Sequence, residues 1–196
     1  NDNSLELIEE WDVQFTYAHG IHFDEISGNV FAVSKTADFI AKFDPNQVQV
    51  PFVNPMIASM DPSINTNFNI EPRRLWPIEI SGKYPYLFVT CSAGDWNSGS
   101  NYEEIPGQVQ MWDMRDLSLL TTYEFETYSR PWHIEVSPYE DKIYVSLSGG
   151  EGSNGSSNSG VACLEYSVSA GGFSPQYEMN QSWITTSSEY GTLHGI

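Results

Sequence analysis

The sequence predicts an all-β fold: a β-propeller of about three four-stranded blades with partial blades on either side. Three observations predict it. Strand-forming residues are abundant, with aromatics at 14% beside many Val and Thr. Three stretches align without gaps at their starts: HGIHFDEISGNVFAVS from His19, WPIEISGKYPYLFVT from Trp76 and WHIEVSPYEDKIYVS from Trp132. No segment carries apolar residues at the three-and-four spacing of a long amphipathic helix.

Each copy begins with a short alternating strand, a turn rich in Gly, Pro, Ser, Asp or Asn, and a second strand of β-branched and aromatic residues. A third strand follows as ADFIAKFDP from Ala37, GQVQMWDM from Gly107 and SGVACLEYSV from Ser159. A fourth reads as LLTTYEFETY from Leu119 and FSPQYEM from Phe173, and in the first unit as VQVPFVNPM from Val48. The N-terminal LELIEEWDVQF has the pattern of a fourth strand preceding the first unit, and the chain closes on LHGI, a second copy of residues 19–21. Ile21, Ile78, Ile134 and Ile196 mark a period of 78−21=57, 134−78=56 and 196−134=62 residues. Four strands at this period are the signature of a propeller blade. The expected division is residues 1–18 as the outer strand of a preceding blade, 19–75, 76–131 and 132–193 as blades, and 194–196 as the start of the next. That makes roughly three and a half blades, too few to hide both open edges by closure. The expectation is a portion of a larger ring of about seven blades, with the remaining blades on the same protein.

Charge excludes some partners. Lys and Arg total 8 against 26 Asp and Glu, a formal charge of −18. Nucleic acid and anionic membrane surfaces both call for basic groups, so neither is an expected partner. No run of 18 apolar residues is present, and no transmembrane helix is expected. Such an acidic surface suits a secreted, periplasmic or cell-surface protein. Cys91 and Cys163 have no metal-ligand spacing and lie in strand-like runs, which reads as two buried thiols, with a disulfide as the alternative. Asn154 and Asn180 match the short acceptor pattern for N-glycosylation.

The stretch GQVQMWDMRDLSLLTTYEFETYSRPWHIEVSPYEDKIYVS resembles the YVTN-type propeller repeat. Asp113 follows the third strand, Arg130-Pro131 opens the next blade, and Val136-Ser137-Pro138 carries the turn. Ile143-Tyr144-Val145-Ser146 matches the strand that names the family, while Tyr139-Glu140-Asp141 departs from its usual Asp-Gly. The resemblance covers the second and third units well and the first loosely. It implies the architecture and leaves the activity open, because one propeller carries many functions. Its relatives by fold include cell-surface binding proteins, sugar-lactone hydrolases, quinoprotein-like dehydrogenase subunits and the copper-bearing domain of nitrous oxide reductase.

In a propeller the innermost strand of each blade lines the hub. Stacking the repeats places His19, Trp76, Trp132 and His194 in one register, Gly20, Pro77, His133 and Gly195 in the next, and His22, Glu79 and Glu135 two positions further on. All four histidines thus fall on innermost strands. Imidazole and carboxylate groups converging from several blades are a way to build a metal site, so His19, His22, His133, His194, Glu79 and Glu135 are candidate ligands for copper or another divalent ion in the central channel. Packing between blades and solvated channel walls is the first alternative for the same residues, and acid–base catalysis is a third. Long loops join the second strand to the third in the second and third units. Asp95, Trp96, Tyr102, Glu103, Glu104 and Glu151 on them are candidates for recognising a protein, small molecule or glycan. GxSxG, HExxH and P-loop patterns are absent from the sequence. The expected function is an extracytoplasmic binding scaffold. The rivals, drawn from the resemblance, are a copper-type redox enzyme and a lactonase-like hydrolase with a divalent ion near Glu79 and Glu135.

Overall fold

The computed structural model describes residues 18–34, 39–47, 56–60, 76–92, 106–126, 129–149, 159–170 and 174–187. Alternation of apolar and polar residues folds as strands, and neighbouring strands pair as antiparallel hairpins. The first sheet runs β1 (Ala18–Phe23), β2 (Val30–Ser34), β3 (Phe39–Phe43), β4 (Met56–Met60) in spatial order. The second runs β5 (Pro77–Lys83), β6 (Tyr86–Cys91), β7 (Gln108–Asp113), β8 (Leu119–Glu124). The third runs β9 (Pro131–Val136), β10 (Lys142–Leu147), β11 (Ser159–Ser169), β12 (Gln176–Ser187). Three successive four-stranded meanders, with β1 beside β5 and β5 beside β9, are three adjacent blades of a β-propeller with their first strands at the hub. The only helix among the described residues is a single 3-10 turn at Pro45–Gln47.

Burial between blades holds the sheets together. Between the first and second, Phe31, Val33 and Ile40 meet Ile80, Leu87, Val89, Cys91, Trp112, Met114 and Leu117. Between the second and third, Phe88, Val109, Met111 and Phe125 meet Ile134, Ile143, Val145, Leu147, Ala162, Leu164 and Tyr166. Fully burying one such side chain contributes about 1.5–3 kcal/mol, so each seam is a hydrophobic core in its own right. Cys91 and Cys163 are buried and form no disulfide, and burial raises the Cys163 pKa.

Met56–Met60 is the fourth strand of the first blade, and residues 48–55 of the strand expected from Val48 lie outside the described residues. One detail differs from the sequence expectation. The second unit sits two residues out of the expected register. Ile21 pairs with Ala32, Ile80 with Val89 and Ile134 with Val145, so the counterpart of Ile21 and Ile134 is Ile80 and not Ile78. A two-residue slip keeps every side chain on its expected face, which is why alternation alone could not detect it.

Turn chemistry sets strand length. Asp113 accepts hydrogen bonds from the Arg115 backbone N–H at 2.8 Å and from the Arg115 guanidinium, which folds the chain back after β7. Asp44 caps the counterpart turn by accepting from the Asn46 N–H at 2.9 Å. The counterpart in the third blade is Glu165, and there β11 runs on to Ser169. The first residues of the second and third blades share another device. Trp76 and Arg130 each precede a proline, adopt φ of 49° and 46°, and accept through their carbonyls the N–H of Ser92 at 3.1 Å and of Ser148 at 3.0 Å.

Candidate functional site

The innermost strands present their polar groups at the hub in a corrected order. His19 lies level with Ile78 and Trp132, Gly20 with Glu79 and His133, and His22 with Ser81 and Glu135. The expected row of His22, Glu79 and Glu135 is therefore broken by the shift of the second blade. Bulges after Ala18 and Pro77, and one between Val145 and Leu147 on the partner of β9, create this arrangement by re-aiming the strand starts.

These groups reach one another across blades. His133 Nδ1 lies 3.7 Å from Glu79 Oε2, and His133 Nε2 lies 3.5 Å from Glu135 Oε1. The Glu79 and His133 side chains are 23% and 26% exposed, whereas Glu135 is 57% exposed and lines the open hub. Glu79 Oε1 accepts the Ile80 N–H at 3.3 Å. Gly20 passes so close that a Cβ there would lie 2.4 Å from Glu79 Oε1 and 2.8 Å from Glu79 Cα. His19 is tied elsewhere: its Nδ1 is 2.8 Å from the Ile78 carbonyl, and its ring meets Trp132 edge-on at 6.0 Å. His22 packs against Phe31 with ring centroids 6.5 Å apart. Burial lowers its pKa, partly offset by the carboxylates of Asp24 and Glu135.

Of the candidate ligands, His133, Glu79 and Glu135 form one contact group, His22 approaches it through Glu135, and His19 faces a backbone carbonyl and an indole. His133 presents its two nitrogens to two different carboxylates, so these three side chains do not converge on one point. Among the described residues, no group of three or more His, Cys, Asp or Glu is placed to hold a metal ion. His194, Asp95, Trp96, Tyr102, Glu103, Glu104, Glu151 and Asn154 lie outside the described residues.

Sequence reasoning missed the hydroxyls that support the hub. Thr90 Oγ1 accepts the Glu79 N–H at 3.1 Å and donates to the Trp132 carbonyl at 2.8 Å. Ser146, its counterpart on β10, accepts the His133 N–H at 3.0 Å. Both bonds satisfy backbone donors of the innermost strand. The signal was in the sequence as a hydroxyl residue directly after Val89 and after Val145.

A cleft of about 270 Å³ lies away from the hub on the third blade, lined by residues that include Glu140, Asp141, Lys142, Glu165 and Asn180. Its charges serve one another. Lys142 Nζ is 2.6 Å from Glu140 and 3.7 Å from Glu165, and Asp141 is 3.6 Å from Lys83 of the second blade. No helix among the described residues is long and apolar enough to cross a membrane.

No protein-family model and no curated protein matches the sequence. Solved structures do match in fold. The chain is similar to hydrazine synthase of Kuenenia stuttgartiensis at 14% identity and a TM-score of 0.53, over 74% of this chain and 38% of that one. It is also similar to a protein of Bacteroides uniformis described as a 6-phosphogluconolactonase, at 13% identity and a TM-score of 0.56, over 87% of this chain and 41% of that one. Both likenesses support the propeller fold, and the chain spans about two-fifths of the length of each.

Proposed function

We propose that these blades form part of an extracytoplasmic β-propeller that acts as a binding scaffold for a protein, small-molecule or glycan ligand. The carrying observation is how the polar residues of the hub are used. His19 is held by the Ile78 carbonyl and Trp132, Thr90 joins the second blade to the third, and Glu79 and His133 face each other across that seam. Groups tied between blades stiffen the disc, and a stiff disc presents its loops for recognition. The segments 93–105 and 150–158 leave and re-enter equivalent strand ends of the second and third blades, between Cys91 and Gln108 and between Leu147 and Ser159. The charge of −18 supports an extracytoplasmic setting and a partner with cationic groups.

Elemental analysis of the purified protein tests this against the redox reading. The scaffold expects no stoichiometric copper and a retained fold in His133→Ala. Copper that is present and lost in His19→Ala or His133→Ala overturns it. A glycan array probes the loops, and binding that disappears when Trp96 and Tyr102 are both changed to Ala assigns recognition to them.

The likeness to the protein described as a lactonase, with Glu79 and Glu135 facing the hub, favours one second reading: hydrolysis of a sugar lactone. Turnover of 6-phosphogluconolactone above the buffer rate, abolished in Glu79→Gln, would replace the scaffold with the hydrolase.

A further inference from the structure

The turns that join the first strand of each blade to the second share one face of the disc. A Cβ on Gly82, near the end of β5, would lie 3.1 Å from His22 Nε2, near the end of β1. Lys83, the last residue of β5, is 3.6 Å from Asp141 in the turn after β9. Each of the three turns holds an apolar or aromatic side chain in water. Ile26 is 73% exposed, Tyr84 39% and Tyr139 92%. A single exposed apolar residue calls for no explanation. The same feature at the matching turn of three successive blades marks a surface built to be covered.

Hydrogen bonds at the root of each turn fix the backbone that carries these tips. Asp24 accepts the Ser27 N–H at 2.9 Å and the Ser27 hydroxyl, and its carbonyl accepts the Gly28 N–H at 2.8 Å. The Pro85 carbonyl, beside Tyr84, accepts the Met114 N–H at 2.9 Å. Ser137 Oγ accepts the N–H of Tyr139 at 3.3 Å and of Glu140 at 3.2 Å. A tip on a fixed backbone loses little freedom when a partner covers it. The charge around the tips is one-sided. Glu25 precedes Ile26, Glu140 follows Tyr139, and both are exposed. Cations nearby are engaged within the chain: Lys83 with Asp141, Lys142 with Glu140 and Glu165, and Arg115 with Asp113.

We propose that this face binds an extended peptide segment of a partner protein, one that alternates basic and apolar side chains, across the turns of Ile26, Tyr84 and Tyr139. Guanidinium or ammonium groups meet the carboxylates and lie over the tyrosine rings, and aliphatic side chains cover Ile26. The formal charge of −18 draws such a segment in. The segments 93–105 and 150–158 leave from the opposite strand ends, so peptide binding here and glycan binding there fail independently.

Fluorescence anisotropy of the intact protein with a labelled peptide of alternating arginine and leucine reads the outcome. About twelve extended residues are enough to cross three neighbouring turns. Saturable binding is expected in about 0.15 M salt. Tyr139→Ser and, separately, Ile26→Ser each weaken it roughly tenfold with an unchanged circular dichroism spectrum. Neither substitution alters the charge of the protein. A peptide of alternating arginine and glycine, equal in charge, binds roughly tenfold more weakly than the leucine peptide. Trp183→Ser, on the outermost strand of the third blade, leaves binding unchanged. Binding that survives both tip variants reports attraction by net charge alone and overturns the proposal. An intact protein that does not bind the peptide overturns it as well, and assigns the tips to another occupant, such as a further segment of the same polypeptide.

Discussion

The two seams between blades use the same register and different chemistry. The first packs aliphatic side chains around Phe31 and Trp112, and its hub end depends on closeness: Gly20 lies against Glu79, and His19 meets the Ile78 carbonyl. The second is aromatic, with Tyr86, Phe88, Tyr166 and Tyr177 in edge-on and tilted contacts, and charged pairs brace it at Glu79–His133 and Lys83–Asp141. Backbone pairing fixes where the blades meet, while side chains decide what each meeting tolerates. The first seam should resist salt and fail on added volume. The second should tolerate volume at its rim and respond to deletion of a ring.

The largest effect expected is from Phe88→Ala, which removes a fully buried ring from the second seam and lowers stability by about 3–5 kcal/mol. Phe31→Ala should match it in urea denaturation, since the two rings are counterparts; a markedly smaller loss would break the equivalence. Next is Gly20→Ala. The new methyl meets Glu79 Cα and the Ile80 nitrogen at 2.8 and 2.9 Å, backbone atoms that cannot rotate away. A loss of about 1–3 kcal/mol in the thermal unfolding curve is expected. Thr90→Val keeps the shape but removes the donor to the Trp132 carbonyl, for about 1 kcal/mol in the same assay.

Titration separates the seams by direction. Burial lowers the His22 pKa below its ordinary 6.5, so the unfolded chain takes up a proton first. The stability due to neutral His22 is complete above pH 6.5 and is lost as pH falls through the lowered folded value. Burial raises the pKa of Tyr86 and Tyr166 above the ordinary 10.0. Their contribution is complete below pH 10.0 and is lost as pH climbs through the folded values. Urea midpoints measured across pH should fall on the acid side less steeply in His22→Gln, and on the alkaline side less steeply in Tyr86→Phe. The smallest effect belongs to Lys83→Ala: the exposed pair with Asp141 is worth under about 1 kcal/mol, and the difference should vanish in high salt.

How much was legible in the sequence follows from the same physics. Strand identity was legible because alternation is local, and β5, β6, β9 and β10 fall where the repeats place them. The long third hairpin was half legible: Asp113 and Asp44 announce turns, and Glu165 lacks the short reach that caps one, so β11 continues. The register of the second blade was hidden because Ile78 and Ile80 bracket Glu79, and either isoleucine satisfies a period of two. What decides between them is the bulge after Pro77, a property of the ladder rather than of composition. The hub cluster was legible only as a set of residue types. That His133 would stand between two carboxylates while His19 turned to a backbone oxygen depended on that register.

The left-handed residues Trp76 and Arg130 have a consequence for how this protein can vary. Each one's carbonyl is bonded to the residue that closes the adjacent strand, Ser92 or Ser148, so the doorway of the neighbouring insertion is latched from inside the sheet. Chain entering at Ser92 returns at Pro106, and chain entering at Gly149 returns at Ser159, on unlike sequences carried by like frames. New specificity can be written between the latches without re-aligning the disc beneath them.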